Sequence, residues 1–228
     1  MKIAIMGAMR EEIEPLLEKI GDYKKISYAK NDYYLAKYKD FELVIAYSKI
    51  GKVFATLTAT TMIEKFGAEK LLFSGVAGAI NSELKIGDLI AATALCQHDL
   101  DITAFGHPYG YVPEGAVMIK SDEKLLKIAQ EVAKTKGKTL KEGIIATGDQ
   151  FVANSQRKEW IAKTFGADAL EMEGASVAVV CDSLEVPFFI LRAISDSADM
   201  DAGFNFDTFL ESSAKESADF IITMLDHM

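Results

Sequence analysis

Short apolar runs recur along this chain, each closing on glycine or a polar cluster, with amphipathic segments between them. KIAIMGA (2–8), LLFSGVAGA (71–79), DLIAATALCQHD (88–99), KEGIIATGDQF (141–151) and PFFILRAIS (187–195) read as buried strands. EEIEPLLEKIG (11–21) places Ile13, Leu16, Leu17 and Ile20 at helical spacing. Pro15 falls in or near its first turn, where a missing N–H does little harm, and Gly21 supplies a stop. Residues 51–66, 121–137 and 154–166 read as further helices, capped in the last two by Ser121 and by Asn154 or Ser155. A final helix is predicted from about Asp207 to Met228. Between residues 23 and 47 the pattern changes to aromatic and β-branched alternation. Turns at Lys30-Asn31-Asp32 and Lys39-Asp40 imply antiparallel strands ending in ELVIAYS. Strand–helix alternation with one antiparallel region predicts an α/β fold, a single domain spanning 1–228 with a central mixed sheet flanked by helices.

Composition narrows the partners. The chain has 228 residues, half of them hydrophobic, enough for one sizeable core. A net charge of −9 disfavours nucleic acid, whose phosphates it would repel. Arginine occurs only at positions 10, 157 and 192, so each calls for a specific reason. Cys96 and Cys181 sit in apolar surroundings without ligand spacing, and read as free thiols in a reducing compartment. The N-terminal stretch lacks the features of a secretory signal, and no apolar run reaches the ~18–20 residues of a membrane span. The expected location is cytoplasmic. The glycine patterns match neither a P-loop nor a dinucleotide fingerprint.

In α/β sheets ligands gather at the carboxyl ends of strands, and the unusual polar groups fall there. Five such ends are GAMREE (7–12), SGVAG (74–78), GDQF (148–151), EME (171–173) and RAISD (192–196). On the first helix Glu11, Glu14 and Glu18 fall opposite the apolar stripe, while Glu12 lies beside it and looks inward. Asp196 reads either as a turn cap or as a carboxyl held at a pocket wall, its pKa raised by burial so that it can donate a proton. Arg192 is expected to pair with a carboxylate. Phe151 reads as a core aromatic or as a platform for a flat ring. His98 and His107 share a loop with Asp99 and Asp101, but no further histidine motif supports a metal site.

Taken in order, MKIAIMGAMREE, SKIGKV, DITAFG, GDQFV, ALEMEGASVA, VPFFILRAISD and FDTFL resemble the bacterial 5′-methylthioadenosine/S-adenosylhomocysteine nucleosidases, within the nucleoside phosphorylase-like superfamily. The resemblance covers essentially the whole chain. It implies that Glu12, with Arg192 nearby, orients and deprotonates a water, and that Asp196 protonates N7 of adenine. It further implies that Met172 and Glu173 clamp the ribose, that Phe151 stacks on the purine and that the Val152 backbone reads its edge. Gly78 and Ser195 would stand close to the ligand, and Ile50 and Phe206 would wall the 5′-substituent pocket. Phe105 and Pro113 match positions that reach into a neighbouring subunit, implying a homodimer. No metal and no organic cofactor are implied. Glu171 has no equally firm role and is expected to support the site, partnering backbone or Arg192.

Two departures, Val76 and Gln150, together with AYSKIGKV and FSGVAGA, resemble the variant of organisms that make menaquinone by the futalosine route. That variant also hydrolyses 6-amino-6-deoxyfutalosine, beside methylthioadenosine, S-adenosylhomocysteine and 5′-deoxyadenosine, which links methionine salvage to menaquinone biosynthesis. Two other functions compete with this one: a phosphate-dependent purine nucleoside phosphorylase, and a nucleoside-binding sensor without catalysis. A phosphate site wants converging Arg or Lys, and Glu12 would repel the anion.

Overall fold

Strict alternation of side chains along the first strand sets the layering. In β1 (Lys2–Gly7), Ile3 and Ile5 face one core while Ala4 and Met6 face another. The computed structural model describes residues 1–198 and 202–228. Its strands continue as β2 (Tyr23–Tyr28), β3 (Asn31–Tyr38), β4 (Phe41–Tyr47), β5 (Lys70–Ala79), β6 (Leu89–Gln97), β7 (Ile119–Lys120), β8 (Leu140–Thr147), β9 (Ala169–Glu171) and β10 (Phe188–Asp196). The helices are α1 (Arg10–Ile20), α2 (Lys52–Thr60), α3 (Glu123–Thr135), α4 (Ser155–Phe165), α5 (Gly174–Ser183) and α6 (Ala202–His227). One apolar cluster joins the sheet to α1, α3 and α6, and a second joins its other face to α2 and α5. This is the α/β architecture expected from the alternation of elements.

The sheet has an open wing and a closed end. Parallel β1 pairs with β4 and β5, and the antiparallel hairpins β4–β3 and β3–β2 extend the wing outward. At the other end β5 pairs with β10, β10 with β6, β6 with β8, β8 with β9, and β9 returns to β5. The strands therefore close into a small ring, which period-2 patterning alone does not reveal. Closure brings the ends of β8, β9 and β10 beside that of β5.

Several boundaries differ from the sequence reading. The first hairpin turns at Ala29-Lys30, both with positive φ (51° and 58°), so Asn31 and Asp32 belong to β3. Paired positive φ values are the two-residue turn that matches strand twist, and here an alanine and a lysine adopt it without Gly or Asn. The α3 cap is Asp122, whose carboxylate accepts the Leu125 N–H, while the Ser121 N–H is used by Thr93. Asn154 caps α4. The predicted helix over 51–66 is α2 followed by a π-helical turn, Thr61–Lys65. The last helix begins at Ala202 rather than near Asp207. Gly203 and Asn205 disfavour a helix intrinsically, but burial of Ala202 overrides that preference.

Candidate active site

Sequence patterning places Glu12 in the first turn of α1, on the flank of the apolar stripe, and there it is buried while Glu11 and Glu18 are exposed. One oxygen accepts the N–H groups of Ala8 and Met9 at 2.6 and 3.0 Å, and the other accepts that of Val76 at 3.0 Å. The carboxylate thus fastens the end of β1 to that of β5. Burial raises its pKa, opposed by the Arg192 charge and these three donors. Two glycines of β5 make the approach possible. A Cβ on Gly75 would stand 2.7 Å from Glu12 Oε1 and 3.2 Å from Arg192 Nη1, and one on Gly78 would stand 2.7 Å from Asp196 Oδ1.

Asp196 closes β10. Its Oδ2 accepts the Ser195 hydroxyl at 3.0 Å and its Oδ1 the Ala198 N–H at 2.8 Å. Arg192, on the same strand and fully buried, donates Nη2 to Glu171 Oε2 at 2.8 Å and Nη1 to the carbonyls of Phe73 and Leu191. Its ion pair is with Glu171, not Glu12, although Glu12 and Arg192 meet over Gly75.

Glu171 and Glu173 divide as the chain leaves β9. Glu171 Oε2 also accepts the N–H groups of Glu173 and Gly174, and Oε1 accepts the Thr147 hydroxyl. Thr147 Oγ1 in turn accepts the Ala175 N–H at 2.8 Å. Glu171 therefore holds the start of α5, which is the supporting position expected of it, and it also lines the cleft. Thr147 escaped the sequence reading, because a threonine in a strand carries no signal beyond β-propensity. Glu173 accepts the Gly51 N–H at 2.7 Å. Burial, reinforced by the charge of Glu171, pushes the Glu173 pKa up to about 8.

These groups border one cleft of about 260 Å³. The sequence-derived residues Glu12, Ile50, Gly78, Phe151, Val152, Glu171, Met172, Glu173, Ser195, Asp196 and Phe206 all border it. So do Val76 and Gln150, together with Ala8, Met9 and Ala77 of the strand-end clusters, and Leu170. Arg192 stands behind the wall. The rings of Phe151 and Phe206 meet edge-to-face at 5.6 Å. Ile50 is 54% and Phe151 49% exposed, so the mouth is apolar and open. Phe105 is 80% exposed and, like Pro113, lies outside this cleft.

Four carboxylates line the cleft, and among its described lining residues none is cationic. Lys52, near the mouth, is held by Asp99 at 2.7 Å and by Gln97 at 3.2 Å. His98 is buried against Arg157, and burial lowers its pKa to about 4. His107 packs on Tyr111. Among the described residues no three His, Cys, Asp or Glu side chains converge as a metal would require. Burial pushes both Cys96 and Cys181 up to about 12, so they are thiols at neutral pH. No described helix is long and apolar enough to cross a membrane.

A family model described as the phosphorylase superfamily matches residues 2–226. The chain belongs to the phosphorylase superfamily. An aminodeoxyfutalosine nucleosidase of Campylobacter jejuni is 61% identical over all of both chains. A crystal structure of a C. jejuni 5′-methylthioadenosine/S-adenosylhomocysteine nucleosidase superposes with a TM-score of 0.96 at 62% identity, again covering both chains fully. A mutant nucleosidase of Helicobacter pylori, solved with 5′-methylthioadenosine in its active site, superposes at 0.99 and 51% identity, covering 100% of this chain and 99% of its own. These relatives are nucleosidases, which agrees with the resemblance carried by the chain's motifs.

Proposed function

We propose that the cleft hydrolyses the N-glycosidic bond of adenine nucleosides, including 5′-methylthioadenosine, S-adenosylhomocysteine and 6-amino-6-deoxyfutalosine. Nucleosidase relatives at 61% and 37% identity support the reaction class and these substrates. One observation carries the choice of water over phosphate as nucleophile: the described lining has four carboxylates and no cation. A phosphate dianion entering it would find no cation to pair with and would be repelled by Glu12, whereas a ribosyl cation-like transition state gains from a carboxylate close by.

Each residue then has a task. Adenine is packed against Phe151 and its edge read by the Val152 backbone. The ribose lies over Met172 with its hydroxyls on Glu173, and Glu171 holds the α5 start that presents both. Ile50 and Phe206 border the 5′-substituent. Glu12, whose raised pKa makes it a stronger base, takes a proton from water as the oxygen bonds to the anomeric carbon. The C–N bond breaks, and Asp196 delivers its proton to N7 of the leaving adenine. Return of the proton from Glu12 to Asp196 through solvent resets the pair. Arg192, through Glu171 and its field on Glu12, fixes the charge balance. The residues that do this are the protein's own, without metal or organic cofactor.

Adenine release from methylthioadenosine, followed with and without added phosphate, tests the reading. Equal rates are expected, and strict phosphate dependence would refute hydrolysis. Rates on the three substrates, measured together, rank them and test the part played by Val76 and Gln150.

Exposed apolar side chains favour a homodimer, and the free buried thiols Cys96 and Cys181 favour a reducing, cytoplasmic location. Val53 is 76% exposed, and Phe54, Leu57, Ile50 and Phe105 are also exposed. A second copy would cover this surface, and by the family resemblance its Phe105 and Pro113 would reach toward the open mouth. Light scattering is expected to give twice the 25.0 kDa chain mass. A monomer at micromolar concentration would rule the assembly out.

A further inference from the structure

The turn after Asp196 is held from outside the cleft. Ala198 is fully buried with φ of 50°, a left-handed conformation that alanine, lacking a polar side chain to compensate, rarely adopts. Its N–H donates to Asp196 Oδ1 at 2.8 Å. The carbonyl of the same peptide unit, that of Ser197, accepts the Lys158 ammonium at 2.7 Å. Lys158 is half-buried on α4, the helix whose cap, Asn154, comes two residues after Val152 of the cleft. Ala198 also packs on the cleft wall, since a Cβ on Gly78 would stand 3.1 Å from the Ala198 Cβ.

We propose that Lys158 is a positioning residue for Asp196, acting through the Ser197–Ala198 peptide. The chain of contacts runs from ammonium to carbonyl, along one planar amide, and from its N–H to the carboxyl. A cation on the carbonyl polarises the amide, so its N–H becomes a stronger donor to Oδ1. The same contact holds the peptide plane in the orientation that Ala198 would otherwise leave. Asp196 is thereby kept in one rotamer with Oδ1 committed as acceptor, and α4 couples the segment beside the purine to the group that protonates it.

The proposal rests on reading Asp196 as the leaving-group acid, and the experiment separates the two. Turnover of methylthioadenosine by the full chain is compared for wild type, Lys158→Met, Lys158→Gln, Asp196→Asn and the double variant Lys158→Met/Asp196→Asn. Loss of a charge-assisted contact predicts kcat about 10- to 100-fold lower in Lys158→Met. KM should stay within about twofold, as the contact matters to proton delivery rather than to ground-state binding. Lys158→Gln keeps a donor without the charge and is expected to fall between, and it carries the test if the Met variant does not fold. The double variant should be no slower than Asp196→Asn alone, as expected for one chain of action. Near-wild-type kcat in either Lys158 variant, or losses that multiply in the double variant, would overturn the role of Lys158. Near-wild-type turnover by Asp196→Asn would instead overturn the reading beneath it.

Discussion

The floor and the mouth of the cleft are built on opposite terms. At the floor Glu12, Glu171, Glu173 and Asp196 are all buried, and each accepts backbone N–H groups or an arginine. At the mouth Ile50 and Phe151 are about half exposed, and the Phe151 ring meets that of Phe206 edge-to-face. Buried carboxylates are tolerated only when their lone pairs are used, so the floor must be complete before any ligand arrives. Apolar side chains at the rim carry no such requirement. Charge placement is thus fixed by folding, whereas enclosure of the mouth is left open by it.

The sharpest way to break this contrast is at the two carboxyls proposed to move protons. Asp196→Asn and Glu12→Gln are each expected to lower kcat by about 10²- to 10⁴-fold, the range general acid–base groups supply. Calorimetric binding of a non-hydrolysed nucleoside analogue should persist in both. Near-normal turnover in either would remove that residue from the chemistry.

A second probe compares stability. Glu171→Ala leaves Arg192 buried without its partner, which costs about 3–5 kcal/mol by urea denaturation. Ile50→Ala, at the exposed mouth, is expected to change stability by about 0.5 kcal/mol or less. Equal costs would mean that floor and mouth do not differ as described. Third, Phe151→Ala should raise KM about tenfold, from the loss of ~1–3 kcal/mol of stacking on a base, with little change in folding stability.

The smallest effect concerns Glu173 and pH. Its folded pKa, about 8, is above the ordinary 4.5, so the native state holds a proton that the unfolded chain releases in between. The protonated form contributes its full stability below pH 4.5, and that contribution is lost as pH rises through 8. Glu173→Gln removes the titration. The Tm of this variant relative to wild type should therefore increase between pH 5 and pH 9, with most of the change complete by about pH 8. A flat difference across that interval would show that Glu173 is ionised in the empty cleft.

Much of the molecule is legible in its residues, for reasons that differ by element. The phase of Ile13, Leu16 and Leu17 forces Glu12 inward, because a helix of period 3.6 fixes which flank each side chain occupies. Apolar strands ending in polar clusters mark the cleft, because a buried strand must discharge its polar residues at its ends. Thr147 and Lys158 were not legible. Each acts by one contact with a residue distant along the chain, and nothing in its neighbours distinguishes it from a solvated or core position. The start of α6 was misplaced because burial of Ala202 outweighs local propensity.

The sequence by itself determined the α/β class, the layering, and which strand ends carry carboxylates, since these follow from short-range periodicity. It determined too that Glu171 and Glu173 must be partnered, because a charge cannot be left bare inside an apolar run. Only the tertiary structure decided how the two divide. Ring closure from β9 to β5 and the start of α5 turn Glu171 toward Arg192 and Thr147, and Glu173 toward Gly51 and the cleft. Such pairings join residues far apart along the chain, and their energies depend on distances that only the closed sheet fixes.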